Sequence, residues 1–120
     1  MHLKGLYEIS EFAAEDESFS ATITFDAGHA IFKGHFPGQP VVPGVCLIHI
    51  VKAIANMIAG EKVQLAKASN VKFLQLIDPR KNAEVIIEGK WLKGETGSMS
   101  ISATISANEN NFFKFKGSFS

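Results

Sequence analysis

Apolar and polar residues alternate without a fault from Ser98 to Ala107, with Met99, Ile101, Ala103, Ile105 and Ala107 set against serines and a threonine. A period of two with one apolar side marks a strand that buries one face. The same rhythm runs through Ser18 to Phe25, where Phe19, Ala21, Ile23 and Phe25 form the apolar side. It returns at Phe113, Phe115 and Phe119. Leu6 to Phe12 is a weaker strand, cut off by the acidic turn Glu15-Asp16-Glu17. Val63 to Ile77 holds enough β-branched and aromatic residues for one long or bulged strand, stopped by Asp78-Pro79-Arg80-Lys81-Asn82. Val85, Ile87 and Trp91 mark the next strand, closed by Gly94-Glu95-Thr96-Gly97, and Asn108-Glu109-Asn110-Asn111 has the chemistry of a hairpin turn.

One stretch breaks the rhythm. From Pro43 to Ala59 the only strongly polar residues are His49, Lys52 and Asn56, spaced i, i+3, i+7. On a helix they form a single narrow stripe. Pro43 suits a first helical position and Gly60 a helix end. The segment is short for a membrane span and carries a lysine and a histidine near its middle. The pattern therefore predicts a central helix, apolar nearly all round and buried by protein. Two strands, one long helix and about four further strands make an α+β arrangement, with an antiparallel sheet packed on the helix. One sheet face covers the helix; the Ser/Thr-rich face can meet water.

Composition narrows the field. The 120 residues fit one domain, 1–120, with 46% hydrophobic residues, enough for a real core. A formal net charge of zero removes the electrostatic case for nucleic acid or an anionic membrane surface as a partner. A single cysteine, Cys46, excludes an internal disulfide. The start, Met-His-Leu-Lys-Gly-Leu-Tyr-Glu, lacks an apolar signal core, so a cytoplasmic location is expected. A chain this small with so apolar a helix has few residues left to cover it, which predicts self-association.

Candidate chemistry gathers just before and on that helix. His35 sits in Gly34-His35-Phe36-Pro37-Gly38, a backbone fixed by glycine and proline, which is how a loop holds a general base. The alternative is a histidine that caps a turn. Gly44 lies in the first helical turn, where free N–H groups and the positive end of the helix dipole favour a carbonyl oxygen gaining negative charge. Ordinary turn chemistry is again the alternative, for Gly38 as for Gly44. Cys46 and His49 are i, i+3 and suggest a thiol nucleophile, although a lone cysteine is usually a small buried hydrophobe. His35, His49 and Cys46 lack further ligands for a zinc site, so no metal is expected. His29 reads as structural or as lying near the mouth of a site. Lys52 and Asn56 either line an interface or reach to water.

Gly34-His35-Phe36-Pro37-Gly38-Gln39-Pro40, followed by Val41-Val42-Pro43-Gly44-Val45, closely resembles the signature of the β-hydroxyacyl-acyl carrier protein dehydratases. These hot-dog-fold enzymes of fatty acid synthesis remove water from a 3-hydroxyacyl thioester. The match is dense over Gly34 to Val45 and one of layout elsewhere; the N-terminal segment is shorter than in the housekeeping enzymes. The resemblance implies a central helix wrapped by an antiparallel sheet. It also implies a dimer whose sheets join, with active sites at the interface. It places the catalytic histidine at His35 and the carbonyl-polarising N–H at Gly44, with Phe36, Pro37, Gly38, Pro43 and Val45 forming the turn and the start of the substrate tunnel. The implied substrate is an acyl chain on a phosphopantetheine arm delivered by acyl carrier protein, with no permanently bound cofactor. Lys33, Arg80 and Lys81 are candidates, by position alone, for meeting an acidic carrier.

One position departs from the pattern. The family's helix acid, a Glu or Asp fourteen residues after the histidine, falls on His49, and the Gln commonly four residues further on is replaced by Ala53. An ordinary carboxyl needs a raised pKa to donate a proton at neutral pH, whereas an ordinary imidazole does not. The expected reading is a dehydratase, a lyase with His35 as base and His49 in the acid position. Two alternatives remain: a catalytically degenerate subunit that binds acyl thioesters or partners an active paralogue in a heterodimer, and an acyl thioesterase.

Overall fold

The computed structural model describes residues 4–34, 38, 40–94 and 97–120. Its strands are β1 (Tyr7–Glu15), β2 (Ser18–Phe25), β3 (Leu65–Phe73), β4 (Glu84–Lys93), β5 (Met99–Ala107) and β6 (Asn110–Phe119). A four-residue turn of helix, α1 (Ile31–Gly34), precedes the long helix α2 (Gly44–Ala59). The strands make one antiparallel sheet in the order β1-β2-β4-β5-β6-β3. The α+β expectation, with about four strands after the helix, is met.

Periodicity becomes burial as expected. Phe19, Ala21, Ile23 and Phe25 of β2 and Met99, Ile101, Ala103 and Ile105 of β5 are buried in one core with Phe113, Phe115 and Phe119 of β6. The β5–β6 hairpin turns on two residues, Asn108 and Glu109, at φ 50° and 67°. That is the primed geometry whose twist matches the flanking strands, so the turn is tighter than the four-residue stretch read from sequence. In β1 the register slips between Ser10 and Ala13. Glu11 stands in that bulge at φ 51° and accepts a 3.2 Å hydrogen bond from buried Thr22 Oγ1.

The strand expected over Val63 to Ile77 is shorter. β3 ends at Phe73, because the next N–H groups, of Leu74 and Gln75, both turn to the carbonyl of Phe112. Ile77 then accepts the N–H of Val42 at 2.9 Å. The segment leaves the ladder to brace the chain entering α2.

Pro43 caps α2 with extended ψ 145° rather than occupying its first turn. Gly60, left-handed at φ 73°, closes it by donating its N–H to Asn56 O at 2.9 Å. The helix buries one face, formed by Cys46, Leu47, Ile50, Val51, Ile54 and Ala55. It is not covered all round within one chain: Val45 and Met57 are 53% and 42% exposed. The reason lies in the sheet edges. His49 touches Tyr7 at the start of β1 and shares a hollow with Gln64, just before β3. The sheet thus curls far enough to bring both edge strands beside α2 without closing over it. The polar stripe has local partners on this open side: Asn56 Oδ1 accepts the Val63 N–H at 2.8 Å, and Lys52 Nζ donates to Gln64 Oε1 at 3.2 Å.

A Cβ on Gly60 would meet no atom within 4 Å, so only the left-handed backbone opposes a larger residue there. Gly60→Ala should lower unfolding stability by about 1–2 kcal/mol, read as a fall in Tm with the folded spectrum unchanged.

Candidate functional site

Three observations define the site around the start of α2. The first is a groove of about 320 Å³, lined by Val41, Val42, Pro43, Gly44, Leu47, Phe73, Leu76 and Ile77, with Gln75 as its polar member. Gly44 forms part of its wall, and the Gly44 N–H has no partner among the described residues. Of the nearby donors, Val42 N–H goes to Ile77 O and Cys46 N–H to Pro43 O, while Val45 N–H, like Gly44 N–H, has no partner among the described residues. An unspent donor at the positive end of a helix, beside an apolar groove, suits a carbonyl at the head of a hydrocarbon chain. A Cβ at this position would stand 2.7 Å from Phe73 Cε1, so any larger residue would have to push the exposed Phe73 ring aside. The backbone and the aromatic ring can approach this closely only in the absence of that Cβ.

The second observation is His49. It lies five residues beyond Gly44 and therefore about 140° round the helix, on the open face. Its Nδ1 is 2.8 Å from the Tyr7 hydroxyl, and the two rings meet edge-on with centroids 6.1 Å apart and planes at 70°. Burial first, and then the neighbouring Cys46 thiol, push the Tyr7 phenol above its ordinary pKa, so it remains a protonated hydroxyl. Sequence reasoning missed Tyr7. It is the only tyrosine of the chain, but nothing in its local pattern ties it to a histidine 42 residues away.

The third is a hollow on the same face, lined by His49, Lys52, Ala53, Asn56, Lys62 and Gln64. Beside the apolar groove, and sharing Val41, Gln75 and Leu76 with it, lies a polar cleft that carries Arg80 and Lys81. Arg80 is committed to Asp78, with Nη2 3.0 Å from Oδ2 and Nε 3.2 Å from Oδ1. That guanidinium holds the Asp78 carboxyl below its usual range. Lys33 and Lys81 are exposed.

The remaining sequence candidates divide plainly. His35, Phe36 and Pro37 lie outside the described residues. Gly38 is left-handed at φ 86°. Val45 points to solvent, so it does not line the groove with Pro43 and Gly44. His29 is structural: its Nδ1 accepts the Ile31 N–H at 3.1 Å, which leaves Nε2 to donate to Lys4 O at 2.9 Å. Cys46 is wholly buried, and burial pushes its thiol pKa up. Among the described residues no three His, Cys, Asp or Glu side chains gather to hold a metal ion, and no helix is long and apolar enough to cross a membrane.

The ApeI-like family model, described as ApeI dehydratase, matches residues 11–116. The chain belongs to the ApeI-like dehydratase family. This ApeI-like chain is 30% identical over 80 residues to the 3-hydroxyacyl-acyl-carrier-protein dehydratase FabZ of Rhizorhabdus wittichii, covering 67% of this chain and 51% of that protein. It is 26% identical over 96 residues to FabZ of Lactiplantibacillus plantarum, covering 74% and 65%. The chain thus spans about half to two thirds of the length of the curated relatives it matches. In structure it is similar to the dehydratase heterocomplex ApeI:P of Xenorhabdus doucetiae, with TM-score 0.77 at 17% identity over 94% of this chain and 96% of that one. A mutant thioesterase of Pseudomonas aeruginosa gives TM-score 0.65 at 10% identity over 94% and 78%. At those identities the likeness is one of fold, and the fold is the hot-dog fold implied by the sequence resemblance.

Burial and a low thiolate fraction together oppose a nucleophilic role for Cys46. An aromatic disulfide reagent should label Cys46 at least about 100-fold more slowly in the folded protein than in denaturant, followed by release of the coloured thiol.

Proposed function

We propose that this ApeI-like chain dehydrates 3-hydroxyacyl thioesters carried on a phosphopantetheine arm, with His35 as general base and His49 as general acid. The observation that carries the reading is the apolar groove ending on the Gly44 N–H, which has no partner among the described residues, with His49 further along the same helix. A hydrocarbon chain fits the groove, and the thioester oxygen accepts from the Gly44 N–H. Enolate character then grows where the helix dipole favours negative charge. His35 takes the α-proton, and the electron pair forms the new double bond as the carbon–oxygen bond to the 3-hydroxyl breaks. His49 protonates the departing oxygen, which leaves as water. The step moves only protons and one hydroxyl group, so it calls for no bound cofactor.

A dimer is part of the proposal. β3 ends the sheet with Leu65 and Phe73 exposed, Phe73 lying against Gly44 at the start of α2, and Val45 and Met57 of that helix are also uncovered. A second hot-dog chain added edge to edge at β3 covers this surface and brings two sets of site residues together. That chain is a second copy in the homodimer we propose. Exposed Lys81, in the cleft that adjoins the groove, supplies a cation for an acidic acyl carrier protein, and exposed Lys33 is a second candidate by position in the chain.

The second reading is favoured by one observation, the imidazole of His49 where the family carries an acid. It makes the chain the inactive member of a heterodimer with a related hot-dog subunit. A dehydration assay on a 3-hydroxyacyl carrier protein decides between the two. In the proposed enzyme His35→Ala and His49→Ala each lower kcat by about 10²–10⁴-fold. Activity retained in His49→Ala overturns the two-histidine mechanism. An inert wild type that becomes active as His49→Glu establishes the partner reading.

A further inference from the structure

We propose that Tyr7 is a positioning residue for His49: its hydroxyl, 2.8 Å from Nδ1, holds the imidazole so that Nε2 is the nitrogen offered to the substrate. The inference rests on the reading of His49 as the residue in the acid position, and it answers the question that substitution raises. A carboxylate has two equivalent oxygens and works through either. An imidazole has two distinct nitrogens, so it serves a fixed proton acceptor only when its ring orientation is set by a third group.

Tyr7 is built to set it. His49 stands on the exposed side of α2, where an unsupported ring samples several rotamers. The Tyr7 backbone is held on both sides: it pairs with Phe25 in the β1–β2 ladder, and wholly buried Leu6 accepts the Asp26 N–H at 2.8 Å. The phenol therefore reaches α2 from a fixed base. Its hydroxyl fixes one nitrogen, and the edge-on ring contact at 70° restrains the plane.

A phenol also suits both protonation states. It donates to Nδ1 of the neutral Nε2–H tautomer and, with its proton rotated away, accepts from Nδ1–H of the imidazolium or of the neutral Nδ1–H tautomer. A carboxylate at position 7 could only accept. During dehydration the imidazolium gives its Nε2 proton to the departing hydroxyl oxygen. The neutral ring that remains keeps its Nδ1 proton on the Tyr7 oxygen. Solvent then returns a proton to Nε2 while His35 releases the one it took from the α-carbon. The raised pKa of the half-buried phenol keeps Tyr7 itself out of this exchange.

Tyr7→Phe deletes the hydroxyl and keeps the ring. The first measurement needs no activity: ring ¹⁵N chemical shifts of His49, assigned by their absence in His49→Gln, in wild type and Tyr7→Phe. The expected result is a shift of the Nδ1 signal in Tyr7→Phe at nearly unchanged Tm. Identical His49 shifts in the two proteins overturn the proposal. The second measurement is turnover of a 3-hydroxyacyl N-acetylcysteamine thioester. Tyr7→Phe should lower kcat about 10-fold or more with KM within about 2-fold, and should have no further effect in the His49→Gln background. Equal losses in both backgrounds overturn it, because Tyr7 then acts independently of His49. If wild type does not turn over, it is the dehydratase reading that fails, and the ¹⁵N comparison alone decides whether Tyr7 orients the ring.

Discussion

The structure depends on the burial of one face of α2 against a curled sheet. Leu47, Ile50, Val51 and Ile54 lose nearly all contact with water. At about 1.5–3 kcal/mol for each large aliphatic side chain, this face contributes on the order of 6–12 kcal/mol before entropy is counted. That equals the whole net stability typical of a domain. The strands have no comparable partner, since their own inner faces point at the same helix.

The opposite face of α2 follows from the same constraint. Six strands curl far enough to set Tyr7 on one side of the helix and Gln64 on the other, but they do not close. The result is an open helical face flanked by two sheet edges, carrying His49 on a polar stripe with Lys52 and Asn56, and with Val45 and Met57 also exposed on the helix. Such a face holds polar chemistry without the desolvation cost of a sealed core. It also leaves an apolar margin for a second chain. The apolar groove lies beside the helix start, where Val42 and Ile77 tie the entering chain to the end of the β3 segment. Cys46 faces inward and His49 outward, although they are only three residues apart. Helical rotation separates a packing residue from a chemical one.

In the proposed dehydratase, an imidazole standing in an acid position changes what the surroundings must supply. A carboxylate chiefly needs an environment that keeps it protonated. An imidazole needs one of its nitrogens occupied and its plane fixed. Tyr7 meets that need from a strand that contributes little else to α2. Of the two cations in the cleft that adjoins the groove, Lys81 makes no ion pair among the described residues, while Arg80 is spent on Asp78.

The sequence by itself determined the elements and their inner faces. Phe19 to Phe25 and Met99 to Ala107 could bury only one side, and Pro43 and Gly60 could only bound a helix, because these signals depend on neighbours a few bonds away. It also placed Gly44 at a helix start and His49 on the polar stripe. Only the tertiary structure decided which strands adjoin, with β3 at the far edge beside β6 and β1 at the other. It ended β3 at Phe73 rather than Ile77, because a carbonyl on β6 captured the next two N–H groups. It left part of α2 uncovered, since an apolar helix sequence does not state how far a sheet will curl. Above all it joined Tyr7 to His49. A hydrogen bond between residues 42 apart leaves no periodic trace, for it is made by two elements whose meeting is fixed by the packing of everything between them.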